Sequence, residues 1–158
     1  MKIIQPIGIF DSGIGGISVM SQIQSLLPDE SLAYVADSLY APYGLKSNYE
    51  ILNRSKAIID YLIKNKSAKL IVVACNTATA AAIKDLRQIY KIPIIGMEPA
   101  IKPATKSTKC KRVGILATNG TLESAKFSAL LETYSGEIEF NTQPCPGLVE
   151  LIEQGRID

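Results

Sequence analysis

Cys75, Asn76 and Thr77 are consecutive, and they set a thiol, an amide and a hydroxyl where an apolar run gives way to an Ala-rich segment. The run is Leu70-Ile71-Val72-Val73-Ala74, which has the composition of a buried strand. Behind it, Ala82, Ile83, Leu86 and Ile89 fall at helical spacing. A thiol between the carboxyl end of a strand and the amino end of a helix stands where α/β sheets place their reactive groups. Free N–H groups and the helix dipole there favour the thiolate. Such positions lower a cysteine pKa from about 8.5 into the range of roughly 3.5–7.5. Asn76 or Thr77 is expected to cap the helix through its side-chain oxygen. An inert packed cysteine is the plainer alternative, since free cysteine is among the most buried residue types. A purely structural strand end needs no hydroxyl and amide beside its thiol, so the pair argues for chemistry.

A second constellation is Asp11-Ser12-Gly13-Ile14-Gly15-Gly16. Its glycines let the backbone turn tightly and approach a ligand. Strand, Gly loop and helix in succession make a ready anion site. The spacing is half a dinucleotide fingerprint, with Ser18 where the third glycine belongs. Asp37 ends the next strand, where a ribose-binding carboxylate would stand. Ala41-Pro42-Tyr43-Gly44 is a loop offering a phenol and an unhindered backbone. A nucleotide- or anion-binding α/β module is therefore one reading of these residues.

Composition removes several chemistries. The chain has 158 residues, no histidine and three cysteines. Without histidine there is no Cys-His or Ser-His-Asp hydrolase and no His-based metal site in this sequence. An odd cysteine count is no disulfide framework, and a reducing cytoplasm is the natural setting. The net charge of +2 gives no case for nucleic acid or an anionic membrane as partner. Lys106, Lys109, Lys111 and Arg112 are the densest basic patch and read as a solvated loop. No signal-like N-terminus and no membrane-length apolar run is present.

The elements that must position these groups alternate. The first strand is expected over residues 3–10, broken by Pro6, so that 7–10 is its regular part. A helix follows with Ile17, Met20, Ile23, Leu26 and Leu27 on one stripe, ending near Pro28. The second strand is 31–36. Ser47-Asn48-Tyr49-Glu50 is a capping box opening a helix that runs to about Lys64. A strand at 92–96 carries Pro93 near its start, which marks an edge or a strand beginning. Then come a helix and basic loop over 100–109, a strand at 113–117, a polar turn at 118–121, a helix over 122–134, a short strand at 138–140, a loop, and a short helix over 148–154. This alternation predicts an α/β fold: a parallel sheet flanked by helices, with residues 1–97 as a first domain and 98–158 as an incomplete second unit.

The motifs, taken in order, resemble the N-terminal part of glutamate racemases in the Asp/Glu racemase family. They are Ile9-Phe10-Asp11-Ser12-Gly13-Ile14-Gly15-Gly16, Tyr34-Val35-Ala36-Asp37-Ser38, Pro42-Tyr43-Gly44, Ala74-Cys75-Asn76-Thr77-Ala78, Leu116-Ala117-Thr118 with Gly120-Thr121, and Cys145-Pro146. The resemblance implies cofactor-independent interconversion of L- and D-glutamate for peptidoglycan, in the cleft between two α/β domains. Cys75 would be one of two catalytic cysteines, with Asp11 as its proton relay or as the ammonium ligand. Asp11, Ser12, Tyr43, Gly44, Asn76 and Thr77 would line the amino-acid site, and Thr118 and Thr121 would face it from the second domain. No cofactor and no metal is implied. The partner is small-molecule glutamate, with aspartate as runner-up, and a homodimer is left open. The family's second catalytic cysteine lies in a Cys-Thr-His motif that this sequence lacks. The resemblance therefore implies a chain covering about the first 60% of a racemase, either half of its machinery or a non-catalytic amino-acid-binding remnant. Such a chain is expected to leave apolar surface exposed.

Overall fold

The computed structural model describes residues 5–136 and 138–156. Ile3 and Ile4, placed in the first strand by the sequence, lie outside them. The elements in order are β1 (Ile7–Asp11), α1 (Ile17–Leu26), β2 (Leu32–Ala36), 3₁₀ turns at Ser38–Tyr40 and Tyr43–Leu45, α2 (Asn48–Lys66), β3 (Leu70–Val73), α3 (Asn76–Ile89), β4 (Ile94–Gly96), α4 (Ile101–Ser107), β5 (Arg112–Ala117), α5 (Asn119–Leu122), α6 (Ala125–Tyr134), β6 (Glu139–Pro144) and α7 (Leu148–Glu153).

Four strands form one parallel sheet in the order β2-β1-β3-β4, and β5 and β6 pair in parallel as a second. Parallel pairing follows from the helical crossovers between successive strands. The order reverses between β1 and β3. Ligands of open α/β sheets bind at such a switch point, outside the carboxyl ends of the strands. Asp11 ends β1 and Cys75 follows β3 by two residues, so the topology brings the two constellations to one place.

Side chains alternate across the first sheet. Phe10, Ile71 and Val73 face α2 and α3 in a cluster that includes Ile51, Ile58, Ile59, Leu62, Ala82 and Leu86. Ile7, Ile9, Val72 and Ala74 face the other way, toward Val19, Met20 and Ile23 of α1. A smaller cluster of Ile101, Val113, Ile115 and Phe127 holds the second sheet to α4 and α6.

Local chemistry explains several boundaries. Ser47 Oγ accepts from Glu50 N at 3.3 Å while Glu50 Oε2 accepts from Ser47 N at 2.9 Å, the reciprocal pair the sequence predicts. The helix then runs two residues past Lys64, closed by Ser67 in the left-handed region. β4 starts after Pro93 and lies at the sheet edge. Three expectations are corrected. The stretch 122–134 is two helices, because Ser124 Oγ accepts from Phe127 N at 3.1 Å and starts α6 afresh. The polar turn at 118–121 is the start of α5, capped by Thr118. The last strand extends to Pro144 because Asn141, Thr142 and Gln143 continue the β5 register despite their exposure.

Candidate functional site

Cys75 is itself the residue that caps α3. It holds an extended backbone, and its Sγ accepts from Ala78 N at 3.4 Å. Asn76 and Thr77 are already helical, so neither caps, contrary to the sequence expectation. The thiol is buried and its hydrogen points to Ser12 Oγ, with Sγ and Oγ 3.5 Å apart. Burial pushes the Cys75 pKa up, and the Asp11 charge adds to that. The Ser12 and Ala78 bonds pull the other way without prevailing. This reverses the lowered pKa expected at a helix start: desolvation outweighs the dipole, and the neutral thiol is the resting form.

Asp11 is buried and works on its own loop. Its Oδ2 accepts from Gly13 N and Gly16 N, both at 3.1 Å. Tyr34 Oη donates to Gly13 O at 2.7 Å, and Ile14 N donates to Glu153 Oε1 at 2.9 Å. Three of the loop's N–H groups are thus taken by the protein's own carboxylates. The anion cradle read from the glycines is occupied from within. Gly16 owes its identity to crowding, since a Cβ there would lie 2.6 Å from Asp11 Cβ.

Asp37 is not a ribose ligand. Its carboxylate is buried, accepts from Arg54 Nη2 at 2.7 Å and Nε at 3.0 Å, and accepts from Tyr43 Oη at 2.6 Å. Arg54 in turn lies 3.7 Å over the Tyr40 ring. Burial and the bond to Asp37 raise the Tyr43 phenol pKa. The phenol is therefore spent on fixing the loop, and what the loop presents to the cavity is the backbone beside Gly44. A Cβ on Gly44 would fall 2.7 Å from Thr118 Cβ, so the loop meets the second unit only as glycine.

Thr77, Thr118 and Thr121 form a closed triangle of hydroxyls with edges of 3.0, 3.2 and 3.1 Å. Thr77 comes from the first sheet's unit and the other two from the second. A cavity of about 550 Å³ lies between the units. Asp11, Ser12, Tyr43, Gly44, Asn76, Thr77, Thr118 and Thr121 all line it, together with Ile101, Val113 and, from α7, Val149, Ile152 and Glu153. Cys75 is not on the wall itself; its Sγ touches Ser12, which is. Cys145 faces a separate small pocket, and Cys110 is exposed. Glu153 and Arg54 make contacts around these groups that sequence reasoning missed. Glu153 meets its partner across 139 positions, with no local signal. Among the described residues no cluster of His, Cys, Asp or Glu is placed to hold a metal, and no helix is long and apolar enough to cross a membrane.

The sequence pattern of the Asp/Glu/Hydantoin racemase family matches residues 7–158. A glutamate racemase of Ectopseudomonas mendocina is 55% identical over 153 residues, which are 96% of this chain and 58% of that protein. One from Pseudomonas aeruginosa is 53% identical over 150 residues, 94% of this chain and 56% of that protein. Among solved structures, Escherichia coli glutamate racemase, in complex with L-glutamate and the activator UDP-MurNAc-Ala, superposes with a TM-score of 0.86 at 38% identity, covering 93% of this chain and 56% of that one. The Francisella tularensis enzyme with D-glutamate gives 0.79 at 33% identity, covering 98% and 58%. The chain spans a little under three fifths of the length of the relatives it matches.

Proposed function

This chain belongs to the Asp/Glu/Hydantoin racemase family, and from that premise we propose that its cavity binds glutamate and that Cys75 exchanges the α-proton on one face of the bound amino acid. The reaction served is cofactor-independent interconversion of L- and D-glutamate, which supplies D-glutamate for peptidoglycan. Residues 1–97 and 98–158 are read as the two α/β units that enclose the substrate.

The observation that carries the proposal is the meeting of a carboxylate and three hydroxyls from both units on one cavity, with the Cys75 thiol bonded to Ser12 in its wall. Thr77, Thr118 and Thr121, with Asn76, are donors for the α-carboxylate. Ser12 touches Cys75 and is placed to hand a proton between solvent, substrate and Sγ. Asp11, on the cavity wall, is the partner for the substrate ammonium. The backbone beside Gly44 serves the far carboxylate.

An α-proton of an amino acid is very weakly acidic, so the base must form next to it. In the resting protein Cys75 is a protonated thiol. Burial is the larger cause of the raised thiol pKa and the Asp11 charge the smaller; a bound ammonium between Asp11 and Cys75 offsets the second and so lowers the cost of forming the thiolate. Racemisation needs a second acid/base on the opposite face. Cys75 is the one thiol that meets the described cavity wall; Cys110 and Cys145 stand elsewhere. One thiol alone exchanges the proton of one enantiomer with retention. Incubating the chain with L- and D-glutamate in heavy water, and following α-deuterium and configuration together, tests this. Deuterium entering one enantiomer through Cys75 supports the reading, and absence of exchange in both, with no saturable glutamate binding, rejects it.

A further inference from the structure

The Asp11–Gly16 turn is held from three sides. Asp11 grips it from within through Gly13 N and Gly16 N. Tyr34 holds Gly13 O from β2. The third grip comes from the far end of the chain, where Glu153 at the end of α7 accepts from Ile14 N at 2.9 Å. α7 has little else to hold it. It is six residues long and none of its side chains is buried, while Leu148, Leu151 and Ile152 are exposed. Glu153 is half-buried against the loop, and a Cβ on Gly13 would lie 1.9 Å from its Oε1. Gly13 is thus the surface on which the carboxylate rests.

The geometry points to Glu153 as a positioning residue. By tying Ile14 N to α7, it keeps the turn, and with it Ser12, closed over the Cys75 thiol. The chain of contact is short: Glu153 to Ile14, two residues along the turn to Ser12, and Ser12 Oγ to Cys75 Sγ at 3.5 Å. The same bond closes α7 over the cavity that Val149 and Ile152 line. Its meaning for catalysis rests on the racemase reading, but the contact is tested without turnover.

The test is alkylation of the 158-residue chain with iodoacetamide, resolved by peptide mass spectrometry, with exposed Cys110 as the internal reference. E153A should raise the Cys75 rate relative to Cys110 by about tenfold, the weight of one lost charge-assisted hydrogen bond. E153Q keeps an acceptor oxygen at the same reach in a weaker, neutral bond and should fall between the two, about threefold above the parent chain. G13A should act like E153A by pushing the carboxylate off Ile14 N, and G13A/E153A should be no faster than either single variant. Cys75 reactivity unchanged by E153A overturns the inference. So does E153Q alkylating as fast as E153A, or additive rates in the double variant. If E153A does not fold, G13A against the parent chain decides: unchanged Cys75 reactivity rejects the contact. Glutamate exchange plays no part in these readings, so a failure here leaves the racemase proposal standing, and the reverse.

Discussion

The wall that carries Cys75 rests on Phe10, Leu62, Ile71, Val73 and Leu86, none of which solvent reaches. The wall that carries Thr118 and Thr121 rests on Ile101, Val113, Ile115 and Phe127, and Leu116 on the same strand is 69% exposed. One wall has a four-stranded sheet with helices behind it, and the other has two strands. The thiol that we propose acts on a carbon atom is built on the first, where packed side chains leave it one position. Two of the three cavity hydroxyls, Thr118 and Thr121, are built on the second, where fewer buried contacts mean easier local opening.

The largest effect that would sharpen this contrast is chemical. C75S should reduce α-proton exchange by roughly 10²–10⁴-fold, the weight of one acid/base group, measured as α-deuterium incorporation. Undiminished exchange would remove Cys75 from the rigid wall's task. Next is packing. L62A should cost about 2–5 kcal/mol in urea unfolding, because Leu62 is fully enclosed. L116A should stay within about 0.5 kcal/mol, because its side chain is largely in water. Equal costs would erase the difference between the walls.

A third test uses alkali. The Cys75, Tyr34 and Tyr43 pKa values are all raised by burial in the first unit and its contacts. In the unfolded chain these groups lose protons first, near their ordinary values of 9.0 and 10.0. The folded state therefore binds more protons there. The stability these groups contribute is full below pH 9 and falls as pH rises toward the folded values. C75S should flatten the start of that fall, as read by unfolding midpoints between pH 8 and 11 (roughly the window spanned by the ordinary thiol and phenol values). A midpoint that climbs across this window would contradict the direction of all three shifts. A smaller effect than the loss of the enclosed Leu62 belongs to a cap in the second unit: S124A removes the cap of α6 and should cost about 1 kcal/mol.

The reach of the sequence differs between the same two regions. Ser47 and Glu50 are three residues apart and satisfy each other, so their spacing alone foretells the helix start. Cys75 is legible as a strand–helix junction because apolar run and helical period meet there. Its protonation is not, because it is set by burial in the packed core and by the charge of Asp11, more than sixty positions away. The same limit misread Asp37, whose partner Arg54 sits on another element. In the second unit, β6 is polar along most of its length, so no apolar period marks its end. Apolar side chains are exposed on the first sheet's α1 side. Leu26 and Ile95 are 78% and 49% exposed there, beside a groove lined by Val19, Ile23 and Met97. Parallel sheets bury both faces, and here one face has a single helix of ten residues over it.

The hydroxyl triangle has two equivalent senses of proton order. Any of the three oxygens can be donor to either neighbour, so the ring can run clockwise or anticlockwise. A neutral ligand that accepts from it exchanges one ordinary hydrogen bond for another and gains little. A carboxylate turns the protons outward and gets shorter, charge-assisted bonds in return, while the ring loses its choice of direction. On this physical argument the ring would discriminate by charge before shape: amides and alcohols of the same outline would meet a self-satisfied ring, and an anion would repay its opening.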